Sequence, residues 1–208
     1  MIVVHHLNDS RSQRILWLLE ELGVPYEIKF HQRDATTRLA PPELTAIHPL
    51  GKSPVITDGD RVVHESGAII DYIIRRHGGG RLAPALGSEA YETYQQWLHY
   101  AEGSAMLPLL LFMYVSRLGE AGKPLHARID SEIANHMGYV NASLEGRDWL
   151  LADFSAADVQ MSFVGEVLLP FGRLDAYPNI KAWVKRFQAR PAYKAALEKG
   201  GAYSYGNA

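Results

Sequence analysis

Between His48 and Ser66 the chain reads HPLGKSPVITDGDRVVHES, and this stretch holds the residue types best suited to gripping a ligand. Its pattern is loop, strand, turn, strand and helix start. Pro54 stands between Ser53 and the apolar pair Val55 and Ile56. A residue without an N–H at that place implies a sheet edge or a bent backbone, and a cis Ser53–Pro54 bond is one way to satisfy that. Asp58-Gly59-Asp60 is the signal of a tight hairpin turn, with Val62 and Val63 opening the return strand. Glu65 and Ser66 then end that strand immediately before GAIIDYIIRR. The first turn of a helix leaves backbone N–H groups unpaired and attracts anionic groups. A bent backbone edge and an anion-attracting helix start therefore fall within one hairpin.

The surrounding elements must hold that hairpin in place. Ile2 to His6 is a short β-branched run expected as a buried strand, ended by the turn and cap residues Asn8, Asp9 and Ser10. Ile15, Leu18, Leu19 and Leu22 repeat at helical spacing and give one apolar face, and Gly23 with Pro25 closes the helix. Tyr26 to Phe30 alternates as a half-buried second strand does. Strand, helix and strand in one sheet favour a parallel crossover. Gln32 to Ile47 is polar, carries Pro41-Pro42, and reads as a connection with at most a short helix around Glu43 to Ala46. Such loops often carry ligand contacts.

The hairpin and the helix Gly67 to Arg76 complete a first domain over residues 1–81, and residues 82–88, with Pro84 and Gly87, read as a linker. Residues 89–208 are expected to form an all-helical domain. Tyr94, Trp97, Leu98 and Ala101 share a helical face, and Pro108 is expected to kink or restart the apolar helix Met106 to Val115. In DFSAADVQMSF, Ser155 can cap the N3 amide while Asp158 reaches back to the Ser155 amide, a capping box that assigns both residues to folding. PNIKAWVKRFQARPAY places Ile180, Trp183, Val184 and Phe187 on one face of a last long helix, stopped by Arg190-Pro191. The fold class expected from these signals is a small α/β domain followed by an all-α one.

Composition narrows the function classes. The 208 residues are 47% hydrophobic, ample for one or two packed cores. The 21 Lys and Arg against 23 Asp and Glu leave a formal charge of −2, which gives no electrostatic case for nucleic acid or an anionic membrane. There is no Cys, so disulfides, thiolate metal sites and a cysteine nucleophile are excluded, and any sulfur chemistry must come from a ligand. No apolar stretch reaches membrane-spanning length, and the expectation is a soluble, cytoplasmic protein. The nine histidines lack a metal-binding spacing; His5 and His6 point to opposite faces of one strand, which favours structural or surface roles, and no metal is expected.

HPLGKSPVI followed by HES at a helix head resembles the glutathione-binding hairpin of cytosolic glutathione transferases. FSAADVQ resembles their helical-domain capping box, and YPNIKAWVKRFQARPAY is similar to their C-terminal helix signature. The three motifs are ordered and spaced as in that family, across nearly all of the chain. DSRSQRILWLLEELG and APPELTAIHPLGKSP resemble most a bacterial and fungal branch close to the theta-like, serine-type enzymes.

The resemblance implies a thioredoxin-like first domain, a helical second domain and a homodimer. It implies a transferase that adds the glutathione thiolate to a small, electrophilic, apolar substrate, with glutathione as co-substrate. Ser53 would pair its backbone with the cysteinyl part of glutathione at a cis Pro54, Glu65 and Ser66 would hold the γ-glutamyl end, and Lys52, Gln32 or Arg38 would meet the glycyl carboxylate. Leu39 and Ala40 depart from the theta pattern just before the hairpin. A free thiol has a pKa of about 8.5, so the bound thiol needs a donor and a helix N-terminus to ionise near neutral pH. Ser10 matches the catalytic serine, with Ser12, Asn8 and Arg11 as alternatives. Tyr100, Met106, Phe112 and Tyr114 are the candidates for the acceptor pocket, and Tyr203 and Tyr205 for covering it. Against these stand plainer roles: Ser10 and Glu65-Ser66 as helix caps, Pro54 as an edge breaker, and the aromatic residues as core. Two other activities fit the same residues, glutathione-dependent peroxide reduction and a non-catalytic binding module.

Overall fold

The computed structural model describes residues 1–206. Along the chain the strands and α-helices are β1 (Ile2–Leu7), α1 (Ser12–Leu22), β2 (Tyr26–His31), α2 (Glu43–Ile47), β3 (Val55–Asp58), β4 (Arg61–His64), α3 (Ser66–Arg76), α4 (Glu89–Tyr100), α5 (Met106–Val115), α6 (Lys123–Ser143), α7 (Ala156–Glu166), α8 (Pro178–Gln188) and α9 (Pro191–Gly200). Their contacts divide the chain into two units, Met1–Pro84 together with the segment from Phe187 onward, and Ala85–Arg186.

The first unit is built on a four-stranded sheet in the order β2-β1-β3-β4. The β-branched run of β1 makes it the strand paired on both sides, parallel to β2 and antiparallel to β3, with Val4 opposite both Ile28 and Ile56. β3 and β4 form the expected hairpin, closed at Asp58↔Arg61, with Gly59 at φ 58° where a left-handed turn residue is needed. The sheet and its helices have the thioredoxin-like arrangement that the family resemblance implies. β2 departs from its expected alternation at one residue. Phe30, near the end of the edge strand β2, is 61% exposed even though its ring meets that of His6 edge-on at 5.9 Å.

The first helix also differs from expectation. The sequence gives α1 a single apolar face, yet every residue from Ser12 to Leu19 is buried. The reason is α9, which packs along α1. Trp17 sits with its ring centroid 5.3 Å from both Phe187 and Tyr193. Its indole N–H donates to Glu21 Oε1 at 2.8 Å, and Arg190 grips the same carboxylate with two N–H groups, at 2.6 and 2.9 Å. The segment after Arg186, expected within a helical domain over 89–208, thus belongs by its contacts to the first unit. Asn207 and Ala208, the end of that expected domain, lie outside the described residues.

The second unit is helical. α4 runs into α5 through a π-turn, Ala101–Ala105, in which Met106 N–H reaches the Ala101 carbonyl. Pro108 has no N–H to give Ser104, and the widened turn just before it absorbs the loss. The capping box is present at the head of α7: Ser155 Oγ accepts from Ala157 N–H at 3.3 Å, and Asp158 Oδ2 accepts from Ser155 N–H at 3.0 Å. Asp158 does more than cap. Its other oxygen accepts from Leu150 N–H and from the Trp183 indole N–H, each at 3.0 Å. Burial pushes its carboxyl up to about 6 although these hydrogen bonds pull the other way. One carboxylate therefore fastens the loop before α7 and α8 to the start of α7. No helix among the described residues is long and apolar enough to cross a membrane.

Candidate functional site

The β1–α1 loop, the start of α1, the turn into β3 and the start of α3 converge within the first unit. Ser10 and Ser12 stand with their hydroxyl oxygens 2.7 Å apart. Ser10 Oγ also lies 3.4 Å from Ser53 Oγ, while Ser53 Oγ–H donates to the His5 carbonyl at 3.1 Å. These bonds tie the first helix start to the residue before Pro54, and the Ser53–Pro54 peptide is cis. On the other flank, Arg14 Nη1 donates to Ser66 Oγ at 3.4 Å, joining α1 to the first residue of α3.

Glu65 precedes that helix at φ 67° and ψ 121°, a conformation uncommon for a residue with a side chain. Such backbone persists where surrounding structure enforces it, and it is concentrated at ligand sites. The Glu65 carboxylate is exposed, Ser66 is buried at its side, and no side chain caps the helix. An ammonium group can meet the carboxylate while a carboxylate meets the free amides and the hydroxyl. Lys52 is exposed in the turn before Ser53.

The remaining candidates fall into distinct roles. Arg11 is the half-buried N-cap residue of α1. Asn8 is engaged by Arg33, whose backbone N–H donates to Asn8 Oδ1 at 2.8 Å and whose guanidinium donates to the Asn8 and Asp9 carbonyls at 3.0 and 3.3 Å. Arg38 pairs with Asp9 at 3.2 Å, and Ser204 N–H donates to the other Asp9 oxygen at 2.8 Å. The residues around Tyr203 and Tyr205 are thereby held against the β1–α1 loop. Gln32 is exposed at the start of the β2–α2 connection.

The four acceptor-pocket candidates belong to the second unit and sit in different settings. Met106 is core at 3% exposure, and Tyr114 is 56% exposed. Phe112 meets Phe171 edge-on and lies under the Arg173 guanidinium. Tyr100 shares a 2.8 Å hydrogen bond with His136 Nδ1.

Sequence reasoning gave His6 only a structural or surface role and gave Arg14 and Arg33 none. His6 Nδ1 lies 2.9 Å from Ser12 Oγ, and the ring is buried at 3% exposure. Burial holds it well below the ordinary histidine value, at about 4, with a hydrogen bond to the Gly200 backbone acting against that and the nearby His31 adding to it. His5, on the opposite face of β1, is likewise held near 4 by burial and by His31. Two adjacent histidines in a strand buried on both faces were the available signal, since each ring needs a polar partner inside.

Known proteins resemble this chain over most of its length. Residues 1–75 match the family described as "Glutathione S-transferase, N-terminal domain", and residues 104–191 match "Glutathione S-transferase, C-terminal domain". The chain is 34% identical to Glutathione S-transferase 3 of Schizosaccharomyces pombe over 96% of its own length and 88% of that protein. It is 31% identical to Glutathione S-transferase 1 of Saccharomyces cerevisiae, covering 96% of this chain and 95% of the other. Among solved structures, a glutathione S-transferase from Actinobacillus pleuropneumoniae superposes with a TM-score of 0.88 at 37% identity, over 96% of this chain and 93% of that one. The sheet, the hairpin before α3 and these matches together place the chain in the glutathione S-transferase family.

Proposed function

We propose that this protein adds the thiolate of glutathione to a small, apolar electrophile, as a homodimer. The observation that carries this reading is the convergence of Ser10, at the head of α1, on Ser53 before the cis proline. In it, the Ser53 backbone pairs with the cysteinyl residue, which brings the sulfur to the Ser10 hydroxyl. Glu65 takes the α-amino group of the γ-glutamyl end, and Ser66 with the first amides of α3 takes its carboxylate. Lys52 supplies the charge for the glycyl carboxylate, with Gln32 and Arg38 on the neighbouring loop. The sulfur then lies beside a hydroxyl donor and the positive end of an 11-residue helix, both of which favour the thiolate. Fixed donors aimed at a developing charge, with both reactants held together, account for the rate.

The test is a titration of the bound thiol by its thiolate absorbance. Ser10→Ala is expected to leave glutathione affinity near that of the parent. Loss of one hydrogen bond to a charged group raises the bound-thiol pKa by about 1–2 units. If Ser12→Ala or Arg11→Ala raises it and Ser10→Ala does not, the donor assignment is wrong. Failure of the parent to bind immobilised glutathione removes the reading altogether.

A further inference from the structure

We infer that His6 is a positioning residue for thiol activation, terminating a hydrogen-bond relay that runs from Ser10 through Ser12 to its Nδ1. The inference rests on the reading of Ser10 as the group that meets the glutathione sulfur.

Three contacts in series, Ser53–Ser10, Ser10–Ser12 and Ser12–His6, share a small number of protons. Ser53 spends its hydroxyl proton on the His5 carbonyl, so towards Ser10 it can only accept. The Ser10–Ser12 contact of 2.7 Å needs one proton between its oxygens, and the Ser12–His6 contact of 2.9 Å needs another. His6 is pinned on its far side by the backbone of Gly200, the last residue of α9, through a hydrogen bond that favours the protonated ring, as a carbonyl acceptor does. A neutral ring donating there from Nε2 leaves Nδ1 as an acceptor. Ser12 then donates to His6 at 2.9 Å rather than to the Leu7 carbonyl at 3.3 Å, and Ser10 donates to Ser12 at 2.7 Å rather than to Ser53 at 3.4 Å. In that state the Ser10 proton points inward, away from any ligand.

A thiolate reverses the arrangement. For Ser10 Oγ–H to turn to sulfur, Ser12 must donate to Ser10, and His6 Nδ1 must then carry the proton that lies between it and Ser12. The thiol itself supplies the missing proton. Its S–H proton passes to Ser10 Oγ as the Ser10 proton passes to Ser12 Oγ and the Ser12 proton to His6 Nδ1. The sulfur keeps the bonding pair and accepts from Ser10, and the ring becomes an imidazolium. When sulfur forms its bond to the electrophile it stops accepting, and the proton returns outward along the same path.

Burial and the nearby His31 oppose protonation of the His6 ring and the Gly200 hydrogen bond favours it, so the thiolate charge has to tip that balance. Burial keeps the ring neutral in the free protein. Facing it are Ser12 on α1 and the Gly200 backbone on α9, while His31 on β2, whose ring lies 3.4 Å from that of His5 on the other face of β1, acts on it only through charge. Phe30 on β2 closes the edge, its centroid 5.9 Å away. The negative charge placed on the bound sulfur is what brings the proton to Nδ1. Ser12 also accepts from Leu7 N–H at 3.2 Å, which fixes its oxygen in line between the two partners.

The decisive measurement uses the unaltered protein. Nitrogen-15 chemical shifts of the His6 ring report which nitrogen is protonated, in the free protein, with glutathione and with S-methylglutathione, which has no thiol proton. The expected result is a neutral ring protonated at Nε2 when free or with S-methylglutathione, and Nδ1 protonated only with glutathione. An unchanged ring beside an ionised bound thiol overturns the relay while leaving glutathione binding intact. If neither peptide binds, the underlying reading fails and the relay with it. As a second arm, His6→Phe and His6→Asn are compared with the parent for the pH profile of kcat/KM. The acidic limb is expected to move upward by about 1 unit or more, with S-methylglutathione affinity unchanged. An unshifted limb in a folded variant counts against the assignment.

Discussion

Asp158→Ala is a sharper test of the helical unit than its place in a capping box suggests. Losing the cap costs about 1 kcal/mol. The substitution also strips the acceptor from Leu150 N–H and from the Trp183 indole N–H, both bonded to Asp158 Oδ1 at 3.0 Å. Two buried donors left unpaired cost about 1–3 kcal/mol each, so the gross loss is about 5 kcal/mol. Alanine, however, carries no buried charge. The rise of the Asp158 carboxyl from 3.8 to about 6 corresponds to about 3 kcal/mol of unfavourable ionisation that the variant escapes above that pH. The net cost at neutral pH is therefore about 2 kcal/mol. Its pH dependence has a fixed sign. Between 3.8 and about 6 the folded carboxyl keeps a proton that the unfolded chain has released, so the parent loses stability as pH rises through that window. The gap between parent and variant is thus widest below pH 3.8 and narrows by about 3 kcal/mol towards neutrality. Urea unfolding of both proteins at matched pH values measures it. Coincident curves at neutral pH, or a gap that widens with pH, would refute the reasoning.

Two further substitutions probe the scaffold. A Cβ at Gly165 would stand 2.8 Å from Trp183 Cζ3 and 2.9 Å from Val184 Cγ2, so Gly165→Ala is expected to overpack the α7–α8 contact. The destabilisation, read from denaturant midpoints, is about 1–3 kcal/mol. Glu21→Ala removes the shared acceptor of Trp17 and Arg190 and is expected to lower stability by about 2 kcal/mol. A thermal melt matching the parent would mean that Glu21 does not help hold α9 on α1.

What the sequence made legible was whatever a local signal could encode. The hairpin was readable from Asp58-Gly59, the bend from Pro54, the α7 cap from Ser155 and Asp158, and the end of α1 from Gly23. These depend on residues a few positions apart. The site was half legible for the same reason: Ser10, Ser53, Glu65 and Ser66 carry motif signals, whereas His6 and Arg14 act through partners far along the chain. His6 gains its meaning from Gly200, and Arg14 from Ser66. The burial of Trp17, Leu16 and Arg14 all round α1 was hidden because the covering helix comes from the opposite end of the sequence. Phe30 misled by its pattern, since periodicity tells which residues share a face and not whether anything lies against that face.

The docking of α9 on α1 has a bearing on how the protein is made. While the chain is being synthesised from its amino end, the residues of the sheet and the hairpin emerge before the segment from Phe187 onward. Until then Trp17 lacks its aromatic neighbours, Glu21 its arginine, and His6 its hydrogen bond with the Gly200 backbone. A chain without that segment would hold the hairpin while one face of α1 stayed uncovered.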